Sequence, residues 1–102
     1  MYRASDEVEN AAWISDLEEA ADQLDLGPEA RSRAADAFLS SLPQPERSKP
    51  AVVAAALYVG ALVAGEERTQ EAVADAAGVS RLSVQQRWKA VLEAAGMQAP
   101  DW

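Results

Sequence analysis

Four basic residues (Arg68, Arg81, Arg87 and Lys89) stand against two acidic ones (Glu71 and Asp75) between Arg68 and Ala90. A guanidinium grips phosphate or carboxylate oxygens through two parallel N–H bonds, and a lysine ammonium does so as a point charge. Gln85 and Gln86 lie between these cations, each with an amide that can donate to and accept from one base edge, as adenine requires. Arg81 and Lys89 suit phosphate contacts, with Arg68 and Arg87 nearby, and Leu82, Gln85 and Gln86 share the outward side with them. This is the chemistry of holding a polyanion. Taken singly, each of these residues reads first as part of an ordinary solvated face.

Bond-making chemistry has far less to work with. The chain has no cysteine and no histidine, which removes thiolate and imidazole ligands, disulfides and the usual general base. The carboxylate pairs Glu18-Glu19 and Glu66-Glu67 are adjacent in sequence, so on a helix their side chains point apart. No nucleophile or cofactor loop accompanies them. A non-enzymatic protein without metal or cofactor is expected.

Charge complicates the polyanion reading. The 102 residues hold 17 acids against 9 bases, a formal net charge of -8. Residues 1–30 contain nine acids and Arg3 alone, so the acidity is concentrated at the opposite end of the chain from the cations above. Two of the basic residues are lysines and seven are arginines, and alanine is abundant. That composition is similar to that of proteins from cells that keep molar salt inside. At ~1 M salt the Debye length is about 3 Å, so an acidic coat no longer repels a polyanion at a distance. The alternative is an acidic protein of ordinary salt whose charge serves solubility. The beginning of the chain, "MYRASDEVEN", is polar where a secretory signal needs an apolar run. The longest apolar stretch, Ala51 to Gly65, falls short of the ~20 residues of a membrane span. A soluble, cytoplasmic protein is expected, and by length a single domain over residues 1–102.

The elements that must position these residues are helices, because the apolar period is three to four throughout. A first helix from Asp6 to about Leu24 would be capped by Ser5, with Asp6, Glu7 and Glu9 at its positive end. Trp13, Ile14, Leu17, Ala20, Ala21 and Leu24 form its buried stripe. Gly27-Pro28 opens a second helix running to about Ser41, with Ala34, Ala35, Phe38 and Leu42 inward. After the proline-rich connector "PQPERSKP", with Ser48 as a cap, a third helix spans about Lys49 to Ala64. It is apolar on every side, the mark of a helix surrounded by others. The fold class is therefore all-α: five helices, the third as axis.

The last two helices, about Gln70–Ala77 and Ser80 or Arg81–Ala95, read as a helix-turn-helix. Thr69 and Ser80 are caps, and Gly78 stands where the turn needs a positive φ. Ala74 is small at the crossing and Val79 plugs the core. Val84, Trp88, Val91 and Leu92 share one face. A tail from about residue 96 to Trp102 is expected to fray unless Trp102 docks. The skeleton encodes packing, and a helical hairpin with a glycine turn packs this way whatever its task.

The stretch "RSKPAVVAAALYVGALVAGEERTQEAVADAAGVSRLSVQQRWKAVL" resembles a cyclin-like repeat of archaeal transcription factor IIB. Arg47, the Ala54-to-Tyr58 run, Arg68-Thr69-Gln70, Ala74, Gly78-Val79-Ser80, Val84, Arg87 and Lys89 match that family's pattern in order, and Trp88 stands where the family usually has tyrosine. The resemblance implies a five-helix cyclin-like bundle whose last two helices contact double-stranded DNA. It also brings TATA-binding protein, or another transcription protein, into view as a partner. The family's factors carry a zinc ribbon and two repeats, whereas one repeat and no cysteine are read here. An arginine that commonly reads a base in the family's second repeat is replaced by Gln85, so promoter-element specificity does not carry over. The expected function is a DNA-binding transcription regulator with Arg68, Arg81, Leu82, Gln85, Gln86, Arg87 and Lys89 at the interface, acting as a homodimer or with a partner. The alternative is a protein-interaction module of the same fold, docking through its acidic first helix.

Overall fold

A computed structural model describes residues 10–98. Among them are five α-helices and no strand: α1 (Ala11–Gln23), α2 (Pro28–Ser40), α3 (Lys49–Val63), α4 (Gln70–Ala77) and α5 (Arg81–Ala94), with a short 3-10 turn at Glu46–Ser48. The all-helical bundle expected from the sequence is observed. No described helix is long and apolar enough to cross a membrane.

The axis is α3. Every residue from Val52 to Leu62 is buried, because the other four helices all pack on it, α2 and α5 most extensively. Its small residues set the spacing. A Cβ at Gly60 would lie 2.5 Å from the Ala30 carbonyl oxygen and 2.7 Å from the Ala34 nitrogen, so α2 crosses α3 at backbone contact. Around this axis one core gathers Leu17, Ala20, Ala21 and Leu24 of the α1 region, Ala34 and Phe38 of α2, Val73 and Ala74 of α4, and Val84 and Val91 of α5.

Several local expectations need correction. Within the described residues α1 begins at Ala11, with Asn10 at the cap position; Ser5, Asp6, Glu7 and Glu9 lie outside the described residues, as does Trp102. Ser48 makes no side-chain cap bond and belongs to the 3-10 turn. Ala35 and Leu42 are only partly buried, and Ala30, Ala37 and Leu39 are buried in addition to Ala34 and Phe38. The turn between α1 and α2 takes its positive φ at Asp25 (55°), a residue type that tolerates this region better than most. The Leu26 N–H then reaches back to the Ala21 carbonyl at 3.1 Å, closing the helix end. Gly27, by contrast, is extended at the start of α2.

Candidate nucleic-acid interface

The geometry of α4 and α5 is fixed by caps at both ends of their junction. The Thr69 Oγ1 accepts a hydrogen bond from the Ala72 N–H at 3.0 Å, which holds α4 to its expected first residue. At the other end Gly78 adopts φ 73°, and the Val79 N–H donates to the Ala74 carbonyl at 3.0 Å. This left-handed closure ends α4 and leaves three residues, Gly78 to Ser80, to turn the chain into α5. The Ser80 Oγ then accepts from the Ser83 N–H at 3.2 Å, opening α5 at Arg81.

One side of α5 is anchored. Val84 is fully buried and Val91 nearly so, while Trp88 and Leu92 pack partly against the core. The Trp88 ring meets Tyr58 of α3 edge-on, with centroids 5.4 Å apart and planes at 66°, a favoured aromatic geometry. Residues four apart along a helix stack on one side, so with Val84 and Trp88 inward the series Arg81, Gln85 and Lys89 must face out. All three are exposed, as are Leu82 and Gln86. Leu82 is 56% exposed and is the large hydrophobic residue left open to solvent among the described residues.

The cations on this helix are available. Among the described residues, Arg81, Arg87 and Lys89 make no ion pair with a carboxylate. Lys89 carries its ammonium 5.7 Å from the Trp88 ring centroid, a placement that steers the side chain without neutralising it. Arg87 is half-buried. On α5 the first carboxylate is Glu93, near the C-terminal end; Glu71 and Asp75 are exposed on α4.

Arg68 is placed differently from the other expected contacts. Its Nε donates to the Leu24 carbonyl at 3.0 Å and its Nη2 to the Asp25 carbonyl at 3.2 Å. Its Nη1 donates to the carbonyls of Glu66 at 2.8 Å and Glu67 at 3.3 Å. The guanidinium thus bridges the C-terminal end of α1 to the loop before α4, where exposed carbonyls carry the negative end of the helix dipole. Two residues away, Glu66 does the converse: its Oε1 accepts from the Gly27 N–H at 2.9 Å, a carboxylate at the positive end of α2. Together they tie the loop that launches α4 to the α1–α2 turn. Sequence reasoning did not find this clamp, since its partners lie 39 to 44 residues away. Of the carboxylate pairs considered earlier, Glu66 therefore serves as a helix cap, and Glu18 pairs with Arg31 at 3.2 Å.

The family model described as "Transcription factor TFIIB repeat" matches residues 7–94. The chain is similar to the transcription initiation factor IIB of Pyrococcus horikoshii, with 38% identity over 84 residues, covering 78% of this chain and 28% of that protein. It is also similar to the transcription initiation factor IIB 1 of Thermococcus kodakarensis, with 37% identity over the same length and with the same coverage. A shorter match, 48% over 42 residues, joins it to the transcription initiation factor IIB 1 of Thermoplasma volcanium. The similarity spans less than a third of these relatives' own length. With most of the chain matched in both ways, it belongs to the transcription factor TFIIB repeat family.

Proposed function

We propose that this chain is a DNA-binding transcription protein that reads duplex DNA with α5, the second helix of a helix-turn-helix formed with α4. The carrying observation is the exposed row of Arg81, Leu82, Gln85, Gln86 and Lys89, mounted on a helix whose opposite side is locked by Val84, Trp88 and Val91. Arg81 and Lys89 serve phosphates, with Arg87 at the edge of the row. Gln85 and Gln86 meet base edges and Leu82 meets a thymine methyl, a combination that favours A·T pairs. Arg68 is a positioning residue in this account, holding the loop from which α4 departs.

One reading helix offers few base contacts, so a second copy or a partner protein supplies the remaining affinity. The family resemblance points to TATA-binding protein or another component of the transcription machinery for that role. Screening by high internal salt would let the net charge of -8 coexist with this binding.

Fluorescence anisotropy with a duplex rich in A·T steps tests the reading. The double variant Q85E/K89E abolishes binding while leaving the helical signal intact. Each of Arg81→Ala and Lys89→Ala lowers the slope of log K against log salt by about 1, as loss of one phosphate contact requires. Unchanged affinity in Q85E/K89E would discard the assignment.

A further inference from the structure

The side of the bundle formed by α1, α3 and α4 carries a second surface, and none of its residues is on α5. A groove of about 300 Å³ lies there, lined among others by Trp13, Asp16, Glu19, Val53, Ala76 and Ala77. Its floor and its rim differ in kind. The floor is apolar, with Trp13 half-buried, Ala20 and Val53 buried, and Ala76 and Ala77 half-buried; the alanines leave the depression open where larger residues would fill it. The rim on α1 holds Asp16 and Glu19, both exposed. Positions 13, 16, 20 and 23 recur at steps of three and four, so the tryptophan, one carboxylate and the groove wall share one helix face.

Neither Asp16 nor Glu19 pairs with a cation among the described residues. Lys49 is close by, 6.0 Å from the Trp13 ring centroid. Its ammonium, however, is engaged elsewhere, donating to the Asn10 Oδ1 at 2.9 Å and the Glu46 Oε1 at 3.0 Å. The groove is thus an apolar slot edged by two negative charges that no cation among the described residues pairs with.

We propose that this groove docks a basic segment of a partner protein, one that places an arginine or lysine against Asp16 and Glu19 and a neighbouring aliphatic side chain over Trp13 and Val53. Charge complementarity selects that occupant. Residues 1–9 of the chain carry Asp6, Glu7 and Glu9 against Arg3, and the closing residues carry Asp101, so neither terminal segment matches the rim. A second copy brings a net charge of -8 with it. Because Ala76 and Ala77 belong to α4, a partner seated here touches the DNA-reading pair from behind while α5 stays free. The groove stands independently of the DNA reading.

The test uses the whole chain, isotopically labelled, and a blocked nine-residue peptide with two arginines and two leucines among alanines. Its counterpart has glutamate in place of each arginine. The arginine peptide is expected to move the Trp13 indole N–H, the Val53 methyls and the Ala76 and Ala77 amides, and the glutamate peptide to leave them in place. The variant D16K/E19K, changed at two exposed positions, keeps the dispersed spectrum and binds the arginine peptide about tenfold more weakly, as losing two exposed ion pairs implies. Four outcomes overturn the proposal: no response at millimolar peptide, equal response to both peptides, full affinity in D16K/E19K, or groove signals that move with protein concentration alone, which would make a second copy the occupant.

Discussion

Replacing Arg68 with alanine separates two roles that one residue type can play. In the structure its guanidinium makes four hydrogen bonds to main-chain carbonyls. Two of these, to Leu24 and Glu66, are part-buried; the other two are exposed, where water can replace the donor. A part-buried hydrogen bond from a charged donor contributes roughly 1.5 kcal/mol, so Arg68→Ala is expected to lose about 3 kcal/mol. For a domain of this size that lowers the melting temperature by about 12–24 °C. Urea denaturation should show a lower midpoint with an unchanged slope, since the unfolded surface is the same. Arg68→Lys should recover only part of the loss, because an ammonium cannot span carbonyls on two segments as a planar fork does. The salt slope of DNA binding should stay as in the parent protein, measured where both are folded. A stability loss below about 0.5 kcal/mol, together with a salt slope reduced by about 1, would show that Arg68 serves phosphate and would refute the clamp.

Other substitutions probe the frame that carries α5. Gly60→Ala gains about 1 kcal/mol of helix propensity, but its methyl meets two backbone atoms and the Ala34 Cβ within 3.0 Å. With overpacking at about 3 kcal/mol, a net loss of about 2 kcal/mol is expected by chemical denaturation, and a neutral result would mean that α2 moves freely off α3. Gly78→Ala meets no neighbour within 4 Å, so its cost is the left-handed backbone alone, about 1 kcal/mol. Thr69→Ala and Ser80→Ala each remove an N-cap acceptor, for about 1 kcal/mol apiece, visible as faster amide exchange in the first turns of α4 and α5.

The helical plan was legible because its signals are local. Apolar residues on every side of Ala51–Gly65 mark a surrounded helix, and α3 is one. The bounds of α4 follow from Thr69 and Gly78, whose side chain and missing side chain act within four residues of themselves. The outward row of α5 follows from a spacing of four once Val84 and Trp88 are taken as the inward side. What escaped the sequence is set by partners distant along the chain. Nothing near Arg68 says that it turns inward to Leu24 and Asp25, and nothing near Glu66 says that it reaches Gly27. Ser48 has a capping side chain but lies in a 3-10 turn, where the geometry of an α-helix N-cap is absent. Asp25, with Gly27 two residues on, took the positive φ because the end of α1 falls at Leu24, before the glycine.

Amide shift mapping on adding duplex decides whether α5 presents its exposed row to DNA. At a salt concentration where the chain is fully folded, shifts are expected from Ser80 through Ala90, with the α1 and groove amides unmoved. Shifts confined to α1 and the groove, or none along α5 at saturating duplex, would contradict that use of α5.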